Sequence, residues 1–478
     1  MSSQLKTSAP REASERTRTL TALDRAHVWH PFTPMQQWRE EDPLIIERAE
    51  GVYLYDTEGR RYLDGVSSLW CNIHGHRVPE IDAAIRQQLD RVAHTTLLGL
   101  ASPPSIELAA RLAALAPGTL DKVFFSDAGA TALEAAFKMA VGYWFHRGQA
   151  KKNRFIAMTG GYHGDTVGSM SVGFSELFHR PFASLVFETS FFPAPDACRP
   201  PDELRDVRTG PEFWPSEDPE LGEALKRHSL NALEQLLEQQ AETTAAIVLE
   251  PLMQGASGMV CQPPGFVRGV ADLAARYNVL FIADEVAVGF GRTGRLLACE
   301  HEDVKPDLLC LAKGLTGGYL PVAATLATPE IESAFCGPVE EKRTLYHGHT
   351  YTGNALGCAA ALACLDLFET RDLLNHIAAS AEIVRRGLEP LRAHPNVLDI
   401  RQRGLMLGIE LCQDRQRREP FDFSKRTAAE FCVSLRERGI WLRPLGDVLI
   451  VMPIPATPHV QIESLITELV SALEAWTF

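Results

Sequence analysis

Val279-Leu280-Phe281-Ile282-Ala283-Asp284-Glu285 is an apolar run closed by carboxylates, and Leu308-Leu309-Cys310-Leu311-Ala312-Lys313-Gly314 is a second run closed by an amine. Between them lies the glycine-rich turn Gly289-Phe290-Gly291-Arg292-Thr293-Gly294, and Pro306-Asp307 precedes the second run. Short apolar runs bounded by turn residues read as strands buried on both faces. Asp284 and Lys313 then stand at neighbouring strand ends, where a carboxylate and an amine can grip one small molecule. Each alone has a plainer explanation, a helix-capping acid and a solvated lysine. Their pairing around one glycine-rich loop favours the ligand.

Pyridoxal 5'-phosphate needs this pair of groups. Its aldehyde bonds to an unprotonated lysine amine, and a carboxylate keeps its pyridine nitrogen protonated so that the ring can accept electrons.

Further strands are expected at 122–125, 154–158, 246–249 and 322–326, alternating with amphipathic helices at 79–94 and 105–115. That alternation predicts an α/β fold with a mostly parallel sheet flanked by helices. Gly51–Asp56 and Arg61–Asp64 read as a hairpin around Thr57-Glu58-Gly59-Arg60, and 460–476 as an amphipathic helix carrying Ile462, Leu465, Ile466, Leu469 and Leu473 on one face. The expected organisation is a disordered leader over 1–25, a large cofactor-binding domain over 80–350, and a smaller α+β domain from 26–79 and 351–478. The proline-rich, acidic stretch 191–220 reads as a surface excursion without chemistry.

The chain has 478 residues, of which 45% are hydrophobic and 23% charged, with a net charge of −14. This acidic balance argues against a surface built for nucleic acid or for an anionic membrane. No apolar stretch approaches the ~20 residues that span a bilayer. The ten cysteines are scattered, with no C-x-x-C, which favours reduced thiols in a cytoplasmic enzyme.

Several loops add candidates. Ser126-Asp127-Ala128-Gly129-Ala130-Thr131 opens a helix whose N-terminus suits a phosphate, and Thr131 with Glu134 also reads as a capping box. Tyr162, in Gly160-Gly161-Tyr162-His163-Gly164-Asp165-Thr166, can stack on a pyridine ring or simply fill the core. Glu250 brings another carboxylate to the same sheet edge. His347 and His349 lack a third metal ligand at workable spacing, so no metal is expected and donation to a phosphate is the better reading. Arg443, among apolar neighbours, is either half of a structural ion pair or a clamp for a substrate carboxylate.

The run from Phe281 to Gly294, followed by Pro306-Asp307 and Lys313-Gly314, resembles the class III aminotransferases of pyridoxal-phosphate fold type I, a likeness that extends from about His27 to the C-terminus. Trp29-His30-Pro31-Phe32-Thr33, Asp64-Gly65-Val66-Ser67-Ser68-Leu69-Trp70, Gly161–Thr166 and Arg443-Pro444-Leu445-Gly446 are similar to its biotin-pathway branch. The resemblance implies transfer of an amino group to 8-amino-7-oxononanoate, giving 7,8-diaminononanoate. By the same resemblance Lys313 is catalytic and holds the cofactor with Gly129, Ala130, Tyr162, Asp284, His349 and Thr350. Phe32, Trp70, Tyr162, Gly348 and Arg443 would meet substrate. The resemblance also implies a homodimer, with His349 and Thr350 reaching across to the partner's cofactor.

S-adenosylmethionine is the donor that most of this branch implies. Members using it commonly carry Tyr at the position of Phe32, a Trp-Trp pair at Leu69-Trp70, and Gly-Pro-Thr or Gly-Pro-Ser at Gly348-His349-Thr350. These departures resemble the members that use lysine, so both donors stay open. An aminotransferase passing ω-amino groups to pyruvate, an aminomutase and a noncatalytic scaffold of the same fold are the alternatives.

Overall fold

The computed structural model describes residues 13–207 and 213–477. At its centre is a seven-stranded sheet ordered Lys122–Ser126, Ala323–Ala327, Leu308–Leu311, Leu280–Asp284, Thr244–Leu249, Arg154–Met158 and Thr189–Phe192. Every strand runs in one direction except Ala323–Ala327, which is antiparallel to both neighbours. Thr244–Leu249 and Leu280–Asp284 are buried along their whole length, as expected of strands covered by helices on both faces.

Helices Gly129–His146, Pro219–Gln240 and Phe266–Arg276 pack around this sheet. Parallel order brings the carboxyl ends of the strands to one edge, where ligands settle in open α/β sheets. Ser126, Met158, Leu249, Asp284 and Leu311 all end there, so the loops that follow them face one crevice.

The expected hairpin forms, with Tyr53–Asp56 antiparallel to Arg61–Asp64, and Ile46–Glu50 extends it. Ile440–Trp441 adds in parallel to Arg61–Asp64, joining the two ends of the chain in one sheet. Val397–Arg403, Met406–Leu411, Val448–Val451 and Arg443–Leu445 form a separate antiparallel sheet. Helix His459–Ala475 buries the five residues expected on its inner face.

Four expectations change. Part of the proposed leader is ordered, because Glu15–His27 is a helix capped by Ser14, and Glu58 accepts hydrogen bonds from Ser14 and Thr17. Residues 1–12 lie outside the described residues. The helix expected over 79–94 ends at Leu89, leaving Leu89 and Val92 exposed. The 191–220 stretch begins in the edge strand Thr189–Phe192 and then ties down the C-terminal sheet. Arg199 Nη2 donates to Glu410 Oε1 at 2.5 Å, and Ser216 Oγ to Asp399 Oδ1 at 3.0 Å. Finally, Glu134 does not complete a capping box on its own helix. Thr131 Oγ1 accepts from Ala128 N at 3.0 Å, whereas Glu134 Oε1 accepts from Gly168 N at 2.7 Å and caps the short helix Val167–Val172.

Candidate active site

The loops at the carboxyl edge enclose a cavity of about 700 Å³. Trp70, Gly129, Ala130, Tyr162, Glu250, Asp284 and Lys313 all line it. The two residues at neighbouring strand ends are thus joined in space as well as in order, since Asp284 pairs in register with Cys310, three residues before Lys313.

Asp284 is buried, and its Oδ2 lies 2.7 Å from His163 Nδ1. Burial alone would lower the imidazole's pKa, but the bond to Asp284 and that carboxylate's charge raise it overall. The bond to Asp284 therefore favours the charged form of the His163 imidazole over the neutral one. The second oxygen, Oδ1, accepts from Val286 N at 3.0 Å. His163 received no role from the sequence, although it stands beside Tyr162 in a quoted motif. Its signal was tertiary, because Asp284 lies on another strand.

Lys313 follows its strand with φ of 44°, a left-handed conformation uncommon for a residue with a Cβ. Its ammonium is pushed down in pKa by burial, against the attraction of Asp284 and Glu250. A lowered pKa favours the unprotonated amine that covalent chemistry needs. The amine lies 5.5 Å from the centre of the Trp70 ring.

Glu250 accepts from Tyr162 N through Oε1 and from Gly255 N through Oε2, both at 3.1 Å. Its carboxyl is pushed up to about 7, chiefly by burial and further by Asp284, while His163 and the two N–H donors oppose the rise. Tyr162 is held at its other end, where its hydroxyl donates to Asp165 Oδ2 at 2.8 Å.

Gly129 opens its helix at the cavity wall. A Cβ there would lie 2.5 Å from Val286 Cγ1, so close packing against Val286 demands glycine even before a phosphate is considered. Gly164 has the same character, with φ of 119° and a Cβ that would lie 2.4 Å from that of Ala130. These contacts bring the Tyr162 loop, the Gly129 helix and the segment after Asp284 together.

Arg292, from the glycine-rich turn, is buried and ties three segments. Nη1 donates to Ser67 Oγ at 3.1 Å and to the Pro453 carbonyl at 3.0 Å, and Nη2 to the Asn72 carbonyl at 2.8 Å. Burial lowers its pKa to about 10. Ser67, Ser68, Leu69 and Trp70 all have positive φ, at 50°, 42°, 65° and 73°. Each such residue costs roughly 1–2 kcal/mol relative to right-handed backbone, so the turn is held by its surroundings.

Phe32, Gly348, His349, Thr350 and Arg443 are not in the cavity wall of the single chain. Arg443 Nη2 donates to the Phe32 carbonyl at 3.2 Å, which links two of them. Phe32 has φ of 48° and its ring meets that of Phe178 edge-on at 5.6 Å. Gly348 and Thr350 are exposed, and His349 N donates to Thr352 Oγ1 at 3.3 Å. His347 Nδ1 lies 3.2 Å from Lys138 Nζ, so the two neighbouring histidines have different surroundings.

The family profile described as aminotransferase class-III matches residues 35–473. A relative from Nitratidesulfovibrio vulgaris, called adenosylmethionine-8-amino-7-oxononanoate aminotransferase, is 50% identical over 469 residues, covering 97% of this chain and 83% of the relative. The crystal structure of the enzyme of the same name from Methanocaldococcus jannaschii superposes with a TM-score of 0.88 at 42% identity, covering 96% of this chain and 100% of the other. An (S)-enantioselective omega-transaminase structure from Thermomicrobium roseum gives a TM-score of 0.87 at 34% identity, covering 96% and 98%.

Proposed function

The chain belongs to the class III aminotransferases, pyridoxal-phosphate enzymes of fold type I, and on that premise we propose that it aminates the keto group of 8-amino-7-oxononanoate. The observation carrying the reading is one cavity that holds the lowered-pKa amine of Lys313 together with the buried Asp284–His163 pair. These groups fit the cofactor's aldehyde and its pyridine nitrogen, and the helix N-terminus at Gly129 and Ala130 fits its phosphate.

When bound, the cofactor supplies an electron sink for the carbon that carries the amine. Lys313 Nζ takes the proton from that carbon in the donor and, in the second half of the cycle, returns one to the acceptor carbon. Asp284 would present its carboxylate to the pyridine nitrogen, oriented by His163 at Oδ2 and by Val286 N at Oδ1. Tyr162 would stack on the cofactor ring and orient it, and Glu250 fixes the Tyr162 backbone. Arg443 turns from the Phe32 carbonyl to the substrate carboxylate, a stronger, charge-assisted partner. Phe32, Trp70 and Gly348 border the substrate. The working form is a homodimer in the cytoplasm, with His349 and Thr350 serving the partner's cofactor phosphate.

The identity to the Nitratidesulfovibrio vulgaris relative and the Methanocaldococcus jannaschii structure, 50% and 42%, exceeds the 34% to the omega-transaminase structure, which favours the keto acid over pyruvate as acceptor. S-adenosylmethionine is the proposed donor, following the names of those relatives. Lysine is the second reading, favoured by Phe32, Leu69 and His349. Mixing the pyridoxal-loaded protein with each donor separately tests this. Conversion to the pyridoxamine form by S-adenosylmethionine supports the first reading, conversion by lysine alone replaces it with the second, and conversion by neither removes both.

A further inference from the structure

Left-handed conformation in four successive residues without a glycine needs an external hold, and the part of that hold that reaches Ser68 comes from one carboxylate. Asp64 is fully buried. Its Oδ2 accepts from Ser68 N at 2.7 Å and from Ser68 Oγ at 2.7 Å, and it lies 3.1 Å from His76 Nε2. Asp64 itself is fixed in the strand Arg61–Asp64, which is paired on both sides. The neighbouring Ser67 is pinned independently, donating through Oγ to the Met452 carbonyl at 2.6 Å.

The turn delivers two side chains with different surroundings. Trp70 is buried in the cavity wall, 5.5 Å from the Lys313 amine, and its ring fills the space beside Gly255, where a Cβ would approach to 3.0 Å. Leu69 is 45% exposed. Relaxing the backbone to right-handed values would reverse the direction in which both side chains leave it. The Trp70 face would then be lost from the amine's surroundings without any change in Lys313 or Asp284.

We propose that Asp64 is a positioning residue for amine recognition: through Ser68 it holds the left-handed turn that sets the Trp70 wall beside Lys313. This rests on the assignment of the cavity as the amine site. Asp64 touches neither cofactor nor substrate, and its effect passes through the backbone.

The test uses the cofactor-loaded protein with Asp64→Ala, Asp64→Asn and the double variant Asp64→Ala/Ser68→Gly. Two quantities are read, amide hydrogen exchange over residues 66–72 and the kinetics of cofactor discharge by lysine, S-adenosylmethionine and butylamine. In Asp64→Ala, exchange confined to that segment should rise about tenfold or more. KM for the amines that discharge the wild type should rise about tenfold while kcat falls by less than about threefold. Asp64→Asn keeps an acceptor oxygen and should fall between. Glycine adopts positive φ without restraint, so Ser68→Gly should bring both quantities back toward the wild type.

Unchanged exchange and KM in Asp64→Ala, faster exchange spread over the whole chain, or no recovery in the double variant would each overturn the proposal. If Asp64→Ala does not fold, Ser68→Ala and Ser68→Gly replace it: the alanine should raise exchange and KM, the glycine should not, and equal effects overturn the idea. A wild type that none of the amines discharges would defeat the transaminase reading alone, because local exchange still decides the role of Asp64.

Discussion

Asp284→Asn leaves an oxygen for His163 to donate to, but it removes the charge that holds a proton on the pyridine nitrogen. The half-reaction with donor should therefore slow by about 10² or more while thermal unfolding moves little; a rate near that of the wild type would mean that another group supplies the charge. Glu250 stands in the opposite position, since its partners are neutral N–H groups and burial lifts its pKa from 4.5 to about 7. Between those two values the folded protein keeps a proton that the unfolded chain has released, so this group's contribution to stability falls as pH rises from 4.5 through 7. The full span is about 3 kcal/mol. Glu250→Gln should accordingly gain stability relative to the wild type as pH is raised from 5 to 8 in denaturant titrations; a pH-independent difference would contradict the raised pKa. Asp284 and Lys313 were legible because strand ends show in the hydrophobic pattern. His163 and Arg292 were not, since the oxygens they bond lie on segments far away in the chain.

At the scale of elements, packing explains several glycines that a phosphate alone would not. In Gly129→Ala the new methyl would strike Val286, destabilising the protein by about 1–3 kcal/mol. Val286→Ala in the same chain should recover much of that loss, as a double-mutant cycle of unfolding free energies would show; strict additivity would mean that the two residues do not compete for space. The apolar runs announced the parallel strands and the helix His459–Ala475 with its buried face. They did not announce the end of a helix at Leu89, because Val92 keeps the apolar period after the backbone has left it. Nor did they reveal the turn Ser67–Trp70. Positive φ is readable from sequence when a glycine marks it, and here none does.

The whole molecule joins its two ends in one sheet through Ile440–Trp441 and Arg61–Asp64, so the N-terminal residues that border the site depend on the last third of the chain. Long-range pairing of this kind leaves no local signature, and neither does the tie between Arg199 and Glu410 that turns a proline-rich excursion into a brace. In the proposed homodimer, a shared site has a distinct consequence. Lys313→Ala and Thr350→Ala proteins, each impaired alone, should recover activity when unfolded together and reassembled, because a mixed dimer contains one site free of both substitutions. No recovery from a verified mixed dimer would place Thr350 at its own subunit's site. The central claim, that Lys313 is the residue to which pyridoxal phosphate bonds, is tested most directly by loading the protein with cofactor, reducing with borohydride and mapping the adduct by mass spectrometry. The cofactor mass should fall on the peptide containing Lys313 and disappear in Lys313→Ala; an adduct on another lysine, or none in the loaded wild type, would contradict the account.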